Sequence, residues 1–157
     1  MTALHFAKFW DTQPSKLEEM LMWIPIVGWF FGALLYRVRI RPIAEDIYRQ
    51  LQNRAEPSLS VWGEDSQRRK MADYIVHQLP IEFGWPNHHF IPSDPLWIAA
   101  WAHQDGLDDV SFFRNIARHY KVSMDAPFSR DATLSDLVDC VYQETKKSTH
   151  PAFQPTR

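Results

Sequence analysis

The sequence is short of the residues from which common cofactor and nucleotide sites are built. It has one cysteine, Cys140, so an internal disulfide is excluded. The neighbours Leu137, Val138 and Val141 predict a buried thiol rather than a nucleophile. No CxxC, GxxxxGK or GxGxxG pattern occurs, which removes the simplest metal and nucleotide sites. No serine stands in a G-x-S-x-G setting either. We therefore expect no cofactor.

An excess of positive charge is also missing. The 157 residues carry 17 Lys and Arg against 19 Asp and Glu, a net charge of −2, which argues against a nucleic-acid partner. The chain does not begin with a basic region leading into an apolar run, so it is not typical of a secretory signal. An apolar fraction of 45% is enough for a packed core and argues against general disorder.

What the sequence does contain is an uncharged stretch at residues 20–36, from Met20 to Tyr36. Its length is at the short end of the roughly 17–25 residues of a membrane-spanning helix. Trp23 and Tyr36 stand near its ends, as interfacial aromatic residues do. Three arginines follow at once: Arg37, Arg39 and Arg41. This pattern predicts a cytoplasmic protein that contacts membrane lipid, anchored at the cytoplasmic face of the inner membrane.

A buried helix or hairpin of a soluble protein is the alternative for the same stretch. Pro25 and Gly28 interrupt the run, and its length is marginal for a span. After it, Pro42 is well placed to open a helix with Ile43, Ile47 and Leu51 on one face. We treat residues 1–53 as an N-terminal helical region.

Residues 54–65 are predicted to be a linker because proline, serine and glycine recur there. Leu59, Val61 and Trp62 within it are candidates to dock on one of the two halves. Ser66 is predicted to cap a helix that reaches about Leu79, where Pro80 prevents continuation.

A long aromatic loop, residues 81–104, precedes a helix that Asp105 can cap and that reaches about Tyr120. The last helix is predicted to start at Thr133, where Thr133 and Asp136 form a T-x-x-D capping box. Its inward face carries Leu134, Leu137, Val138 and Val141. Residues 146–157 are polar, contain two prolines and predict a flexible tail.

Residues 105–110, Asp-Gly-Leu-Asp-Asp-Val, resemble the D-S-L-[DE]-x-V signature of acyl carrier proteins. Residues 112–124 resemble the second carrier helix running into its turn, and residues 133–138 resemble the start of the final carrier helix. The resemblance implies an all-α, acyl carrier protein-like helical bundle over residues 66–145. In that family the serine carries a phosphopantetheine arm, and Gly106 takes its place here. The chain is therefore similar to the serine-lacking bacterial carrier-like families of unknown function.

The resemblance implies a non-enzymatic interaction module that binds an unknown protein partner without phosphopantetheine. We expect the binding surface on the helix opened by Asp105 together with the aromatic loop. Its candidate residues are Asp105, Leu107, Asp108, Asp109, Trp97 and Trp101.

Two alternatives remain open. A small metal-dependent enzyme would use the loop residues His88, His89 and His103, although their spacing matches no zinc motif and surface histidines are the simpler interpretation. A helical immunity-type protein would share only helical architecture with the carriers.

Overall fold

The computed structural model describes residues 1–4, 41–97, 108–124, 128–129 and 131–149. Within these ranges the chain forms α1 (Arg41–Asn53), a 3₁₀ turn (Leu59–Trp62), α2 (Ser66–Phe83), α3 (Asp108–Tyr120) and α4 (Leu134–Thr149). An isolated bridge joins Pro95 and Thr133, and no strand forms in the described ranges. The predicted all-α class is therefore confirmed for this part of the chain.

Helix α1 belongs to the smaller of two compact units. Residues 4–53 form that unit, and residues 1–3 with 54–157 form the other. Ala44, Ile47 and Leu51 are the buried residues of α1, at the helical spacing of three and four that was predicted from the sequence. Ile43, predicted for the same face, is only half-buried, and Ala44 is the buried residue at that end of the face instead.

Residues 20–36 lie outside the described residues, as do Trp23, Tyr36, Arg37 and Arg39. Arg41, the last of the predicted basic cluster, is the first residue of α1 and pairs with Glu45 at 2.8 Å. Among the helices that are described, none is long and apolar enough to cross a membrane.

Helix α2 begins and ends differently from the prediction. Its N-cap is Asp65, whose carboxylate accepts hydrogen bonds from the amides of Gln67 and Arg68. Pro80 lies inside the helix rather than after it. A proline in the last turn removes one backbone donor, and the turn is closed by the amide of Gly84, which donates to the Pro80 carbonyl at 3.0 Å. Gly84 takes the left-handed conformation, with φ of 70°, that favours glycine.

Helix α4 has the capping box predicted from the sequence. The Thr133 amide donates to Asp136 Oδ2 at 2.7 Å, and the Asp136 amide donates to Thr133 Oγ1 at 3.4 Å. Its predicted inward face is confirmed, since these four side chains have no exposed area: Leu134, Leu137, Val138 and Val141.

The C-terminal end of α4 extends further than predicted. Residues 146–149, assigned to the tail, are helical, and residues 150–157 lie outside the described residues. Lys146 and Lys147 lie in the last turn, where positive charge interacts favourably with the helix dipole. Lys147 also pairs with Glu144 at 2.7 Å, and Lys146 Nζ lies 4.1 Å from the centre of the Tyr142 ring.

The core of the larger unit lies between α2, α3 and α4. Helix α2 packs on α3, α4 and the 3₁₀ turn, and α3 also packs on α4. The largest fully buried side chains of this unit are Trp62, Phe90, Phe112, Ile75, Leu79, Leu96, Ile116, Leu134, Leu137 and Val138. Burial of that much apolar surface is the main favourable term in folding this unit.

The loop after α2 is fastened to the start of α4 by backbone hydrogen bonds. The Leu134 amide donates to the Asp94 carbonyl and the Ser135 amide to the Pro92 carbonyl, each at 2.9 Å. The Leu96 amide donates to the Ala132 carbonyl at 2.8 Å. The bonds from Leu134 and Ser135 satisfy amides of the first turn of α4 that have no partner within the helix.

Residues 54–65, predicted to be a linker, contribute directly to the larger unit. Trp62 is 1% exposed, whereas Leu59 and Val61 are each 45% exposed. Arg54 lies in an ion pair with the fully buried Asp94.

Candidate functional site

The predicted partner surface is only partly within the described residues. Three of its six predicted residues lie outside them: Trp101, Asp105 and Leu107. Gly106, at the lost attachment position, lies outside them as well. Asp108 and Asp109 form the first residues of α3. Trp97 is half-buried, and its indole nitrogen donates a hydrogen bond to the Ser129 carbonyl at 2.8 Å. Trp97 is therefore anchored at one edge while part of its ring meets solvent.

The exposed face of α3 carries positive charge over its second half. Phe112 and Ile116 are fully buried, whereas Arg114, Arg118 and His119 are exposed. Helix α3 thus offers solvent a basic surface beyond its acidic first turn.

Tyr74, His119 and Tyr120 form an aromatic cluster between α2 and α3. The rings of Tyr74 and His119 stack with their centres 3.9 Å apart, and Tyr120 meets Tyr74 edge-on at 5.6 Å. Burial, followed by the neighbouring Tyr74 and Asp73, raises the pKa of Tyr120 to about 12. The phenol of Tyr120 therefore stays protonated at neutral pH and is not a base.

Two of the three histidines of the predicted cluster are described, and the rings of His88 and His89 meet edge-on with centres 5.4 Å apart. His88 stacks on His77, with ring centres 4.0 Å apart, whereas His89 Nδ1 donates to the Arg54 carbonyl at 2.8 Å. His103 lies outside the described residues. Within the described ranges, no three His, Cys, Asp or Glu side chains are arranged to hold a metal ion.

A groove beside the stacked histidines is a candidate small-molecule site. Its volume is about 120 Å³, and it is partly open to solvent. Its apolar lining is Pro57, Leu59, Trp62, Val76 and Phe90, and its polar lining is Glu56, Asp73, His77 and His88. Four separate parts of the chain contribute: the segment before the 3₁₀ turn, the turn itself, α2 and the loop after α2.

Each histidine of the groove lies beside a carboxylate. His88 Nε2 lies 3.6 Å from Glu56 Oε1, and His77 Nδ1 lies 3.4 Å from Asp73 Oδ1. His77 Nδ1 donates its hydrogen bond instead to the Asp73 carbonyl, at 2.8 Å. The two carboxylates are thus near the imidazoles without a short hydrogen bond to them.

The loop wall of this groove is held by the buried pair of Arg54 and Asp94. Arg54 Nη1 lies 2.6 Å from Asp94 Oδ2 and Nη2 lies 3.2 Å from Oδ1. Arg54 also donates to the carbonyls of His89 and Thr2, at 3.1 and 2.9 Å. The Ile91 amide completes the network by donating to Asp94 Oδ2 at 2.9 Å.

A second arginine, Arg68, joins α2 to α4 and to the 3₁₀ turn. Its Nε donates to Asp139 Oδ1 at 2.6 Å and its Nη2 to Oδ2 at 3.1 Å. Nη2 also donates to Ser135 Oγ at 2.8 Å, and Nη1 donates to the Trp62 carbonyl. The hydrogen bond to Asp139 raises the pKa of Arg68.

Comparison with known proteins identifies no relative: neither a family model, nor a curated protein, nor a solved structure matches this chain. The arrangement of its own residues therefore carries the functional argument.

Sequence reasoning did not find the groove. Asp73 and His77 are four residues apart on α2, but no motif links them to Glu56 and His88, which come from other segments and meet α2 only in the fold. Cys140 is half-buried rather than fully buried as predicted, and burial raises the pKa of its thiol. The negative charge of Glu144 adds to that increase, so the thiolate is disfavoured.

Proposed function

We propose that this chain is a non-enzymatic interaction module on a carrier-like helical frame that has lost its attachment residue. The observation that carries the proposal is Gly106, which stands where the D-S-L-[DE]-x-V signature has serine. Phosphopantetheine is attached through a hydroxyl oxygen, and glycine has none. The frame is supported by the order of α2, α3 and α4 along the chain and by the packing of these helices on one another.

The proposed contact surface is α3 together with Trp97. Acidic residues at the start of the helix, Asp108 and Asp109, are followed by exposed Arg114 and Arg118. A partner that reads an entirely acidic helix would meet repulsion at these arginines. The partner is therefore expected to present acidic groups opposite the second half of α3 as well as basic groups opposite its start.

Glycine 106 gives the sharper of two tests. The chain, Gly106→Ser and Gly106→Ala are each produced with a broad-specificity phosphopantetheinyl transferase and coenzyme A, and intact masses are compared. We expect no adduct on the wild type or on Gly106→Ala, which has the same backbone restriction without the hydroxyl. An adduct on Gly106→Ser alone supports the carrier frame, whereas an adduct on the wild type contradicts the proposal.

The contact surface is tested by charge reversal in capture experiments from cells of the source organism. Asp108→Lys/Asp109→Lys and Arg114→Glu/Arg118→Glu are each expected to lose the partners that the wild type retains. The matched control is Glu64→Lys/Asp131→Lys, which changes two exposed carboxylates that do not belong to α3. Unchanged partners in both α3 variants would remove this surface from the proposal.

We also propose that residues 20–36 hold the module at a lipid surface, with the following arginines near anionic headgroups. The test is co-sedimentation of the full chain with vesicles containing phosphatidylglycerol. Arg37→Glu/Arg39→Glu is expected to reduce the bound fraction, while Arg49→Glu/Arg69→Glu changes net charge equally elsewhere. Equal effects of the two pairs would contradict a specific role of the basic flank.

A further inference from the structure

We propose that the groove beside His77 and His88 binds a small organic cation, an ammonium or guanidinium group on an apolar body. This inference is independent of the proposed partner surface, because it uses none of the residues assigned to that surface. It rests on the shape of the groove and the sign of its charge.

The inner lining of the groove suits an apolar body. Trp62, Val76 and Phe90 are nearly or fully buried at its base, and Leu59 is 45% exposed. The volume of the groove is about 120 Å³, which is below the roughly 300–1,000 Å³ of sites for drug-sized ligands and close to the roughly 150 Å³ of a cavity that holds benzene. The groove therefore suits one small ring or a short alkyl chain. A ring or short alkyl chain that enters would remove the exposed part of this lining from water.

The charge of the groove selects a cation. Glu56 and Asp73 contribute two carboxylates, while its described lining contains no lysine or arginine. The nearest arginine in sequence, Arg54, has its guanidinium engaged by the buried Asp94. These two carboxylates attract a positive group.

The stacked imidazoles are part of the lining beside the carboxylates. His77 and His88 lie ring to ring, with centres 4.0 Å apart.

Two carboxylates lie beside the imidazoles among the described residues. Glu56 approaches His88 from the segment before the 3₁₀ turn, and Asp73 approaches His77 from within α2. His89 meets His88 edge-on, with ring centres 5.4 Å apart.

The first experiment compares 2-phenylethylamine with its neutral counterpart, 2-phenylethanol, by isothermal titration calorimetry on the full chain near pH 8. The amine is expected to bind saturably and the alcohol roughly tenfold more weakly, because the alcohol lacks the charge that the carboxylates attract. Absence of amine binding, or equal binding of the alcohol, would overturn the proposal.

The second experiment locates the site. Glu56→Gln/Asp73→Asn keeps the shape of both side chains and is expected to weaken amine binding by roughly tenfold. Glu64→Gln/Asp131→Asn removes the same charge from exposed positions outside the groove and should leave the affinity unchanged. Circular dichroism establishes that both variants fold, and equal losses in the two would contradict a site at this groove.

Discussion

Two arginine–aspartate pairs in the larger unit have the same chemistry and different surroundings. Both are bidentate, and in both the shortest contact is 2.6 Å. The side chains of Arg54 and Asp94 are 9% and 0% exposed, whereas those of Arg68 and Asp139 are 17% and 49% exposed. Water stabilises an unpaired charge. Removing one partner therefore costs more free energy at the buried pair, where the remaining charge is shielded from water, than at the more exposed pair.

The pairs also differ in what they join. The buried pair connects residue 2, the start of the segment after α1 and the loop after α2 through the carbonyls and amide around Asp94. The more exposed pair connects neighbouring helices that already share an apolar interface. The buried pair therefore holds segments without regular secondary structure in place. The more exposed pair adds to an apolar helix interface that forms without it.

The largest effect is expected from Asp94→Asn or Arg54→Met. Each leaves a buried partner without its counter-charge, which should lower the free energy of unfolding by about 3–5 kcal/mol. Urea unfolding followed by circular dichroism measures the loss.

The double variant Arg54→Met/Asp94→Leu is the control for this prediction. It removes both charges, so it should be destabilised by less than the sum of the two single changes. A cost below about 1 kcal/mol for either single variant would show that this pair behaves like an exposed one.

A smaller effect is expected from Arg68→Met. The change removes hydrogen bonds to Asp139, Ser135 and the Trp62 carbonyl, but Asp139 stays half-exposed and can be solvated. The free energy of unfolding should fall by about 1–2 kcal/mol. Arg69→Met, at the next position of α2, is the matched control and should be close to neutral. A loss as large as that of Asp94→Asn would erase the contrast between the pairs.

Salt should separate the two pairs further. Raising the ionic strength from about 0.1 M to about 1 M shortens the screening length from roughly 10 Å to 3 Å. The destabilisation caused by Arg68→Met should shrink under that change, because Asp139 meets solvent, whereas that of Arg54→Met should persist. Urea midpoints of both variants and the wild type at each salt concentration provide the measurement. An equal response would mean that solvent reaches both pairs alike.

The smallest effect concerns acid and the N-cap of α2. The pKa of Asp65 is lowered chiefly by the Tyr142 hydroxyl, which donates to Asp65 Oδ2 at 2.6 Å, and also by amides of the helix. A lowered native pKa means that the carboxylate stabilises the fold above the ordinary value of about 3.9. That contribution is lost as pH falls from this value through the lower native one.

Tyr142→Phe should bring the native pKa of Asp65 closer to its ordinary value and so reduce the acid-dependent loss of stability. Unfolding midpoints across the acid range measure this slope. In Asp65→Asn, which keeps a capping oxygen without a titrating group, Tyr142→Phe should no longer alter the slope. A persistent change there would assign the acid response to another carboxyl group.

The sequence predicted the features of this fold that depend on neighbours close along the chain. Periodic apolar residues predicted α1 and α4, and the spacing of Thr133 and Asp136 predicted their reciprocal hydrogen bonds. Local rules were less accurate at α2. Asp65 competes with Ser66 for the same capping role, and Pro80 is tolerated because the Gly84 amide closes the last turn.

The groove and the buried pair depend instead on distant neighbours. Arg54 and Asp94 are 40 residues apart, and His77 stacks on a histidine from a different element. No local pattern shows whether an arginine in a proline- and serine-rich stretch lies in an exposed linker or pairs with a buried aspartate. The carrier resemblance rests on local motifs, and it predicted neither contact.

The backbone bonds between the loop after α2 and the start of α4 have a consequence for hydrogen exchange. Amides in the first turn of a helix usually exchange rapidly with solvent deuterium, because no carbonyl of the same helix protects them. Leu134 and Ser135 donate to carbonyls of the loop instead. Their deuterium uptake should therefore be as slow as that of the helix interior, reporting the opening of the whole loop–helix junction rather than fraying of one helix end.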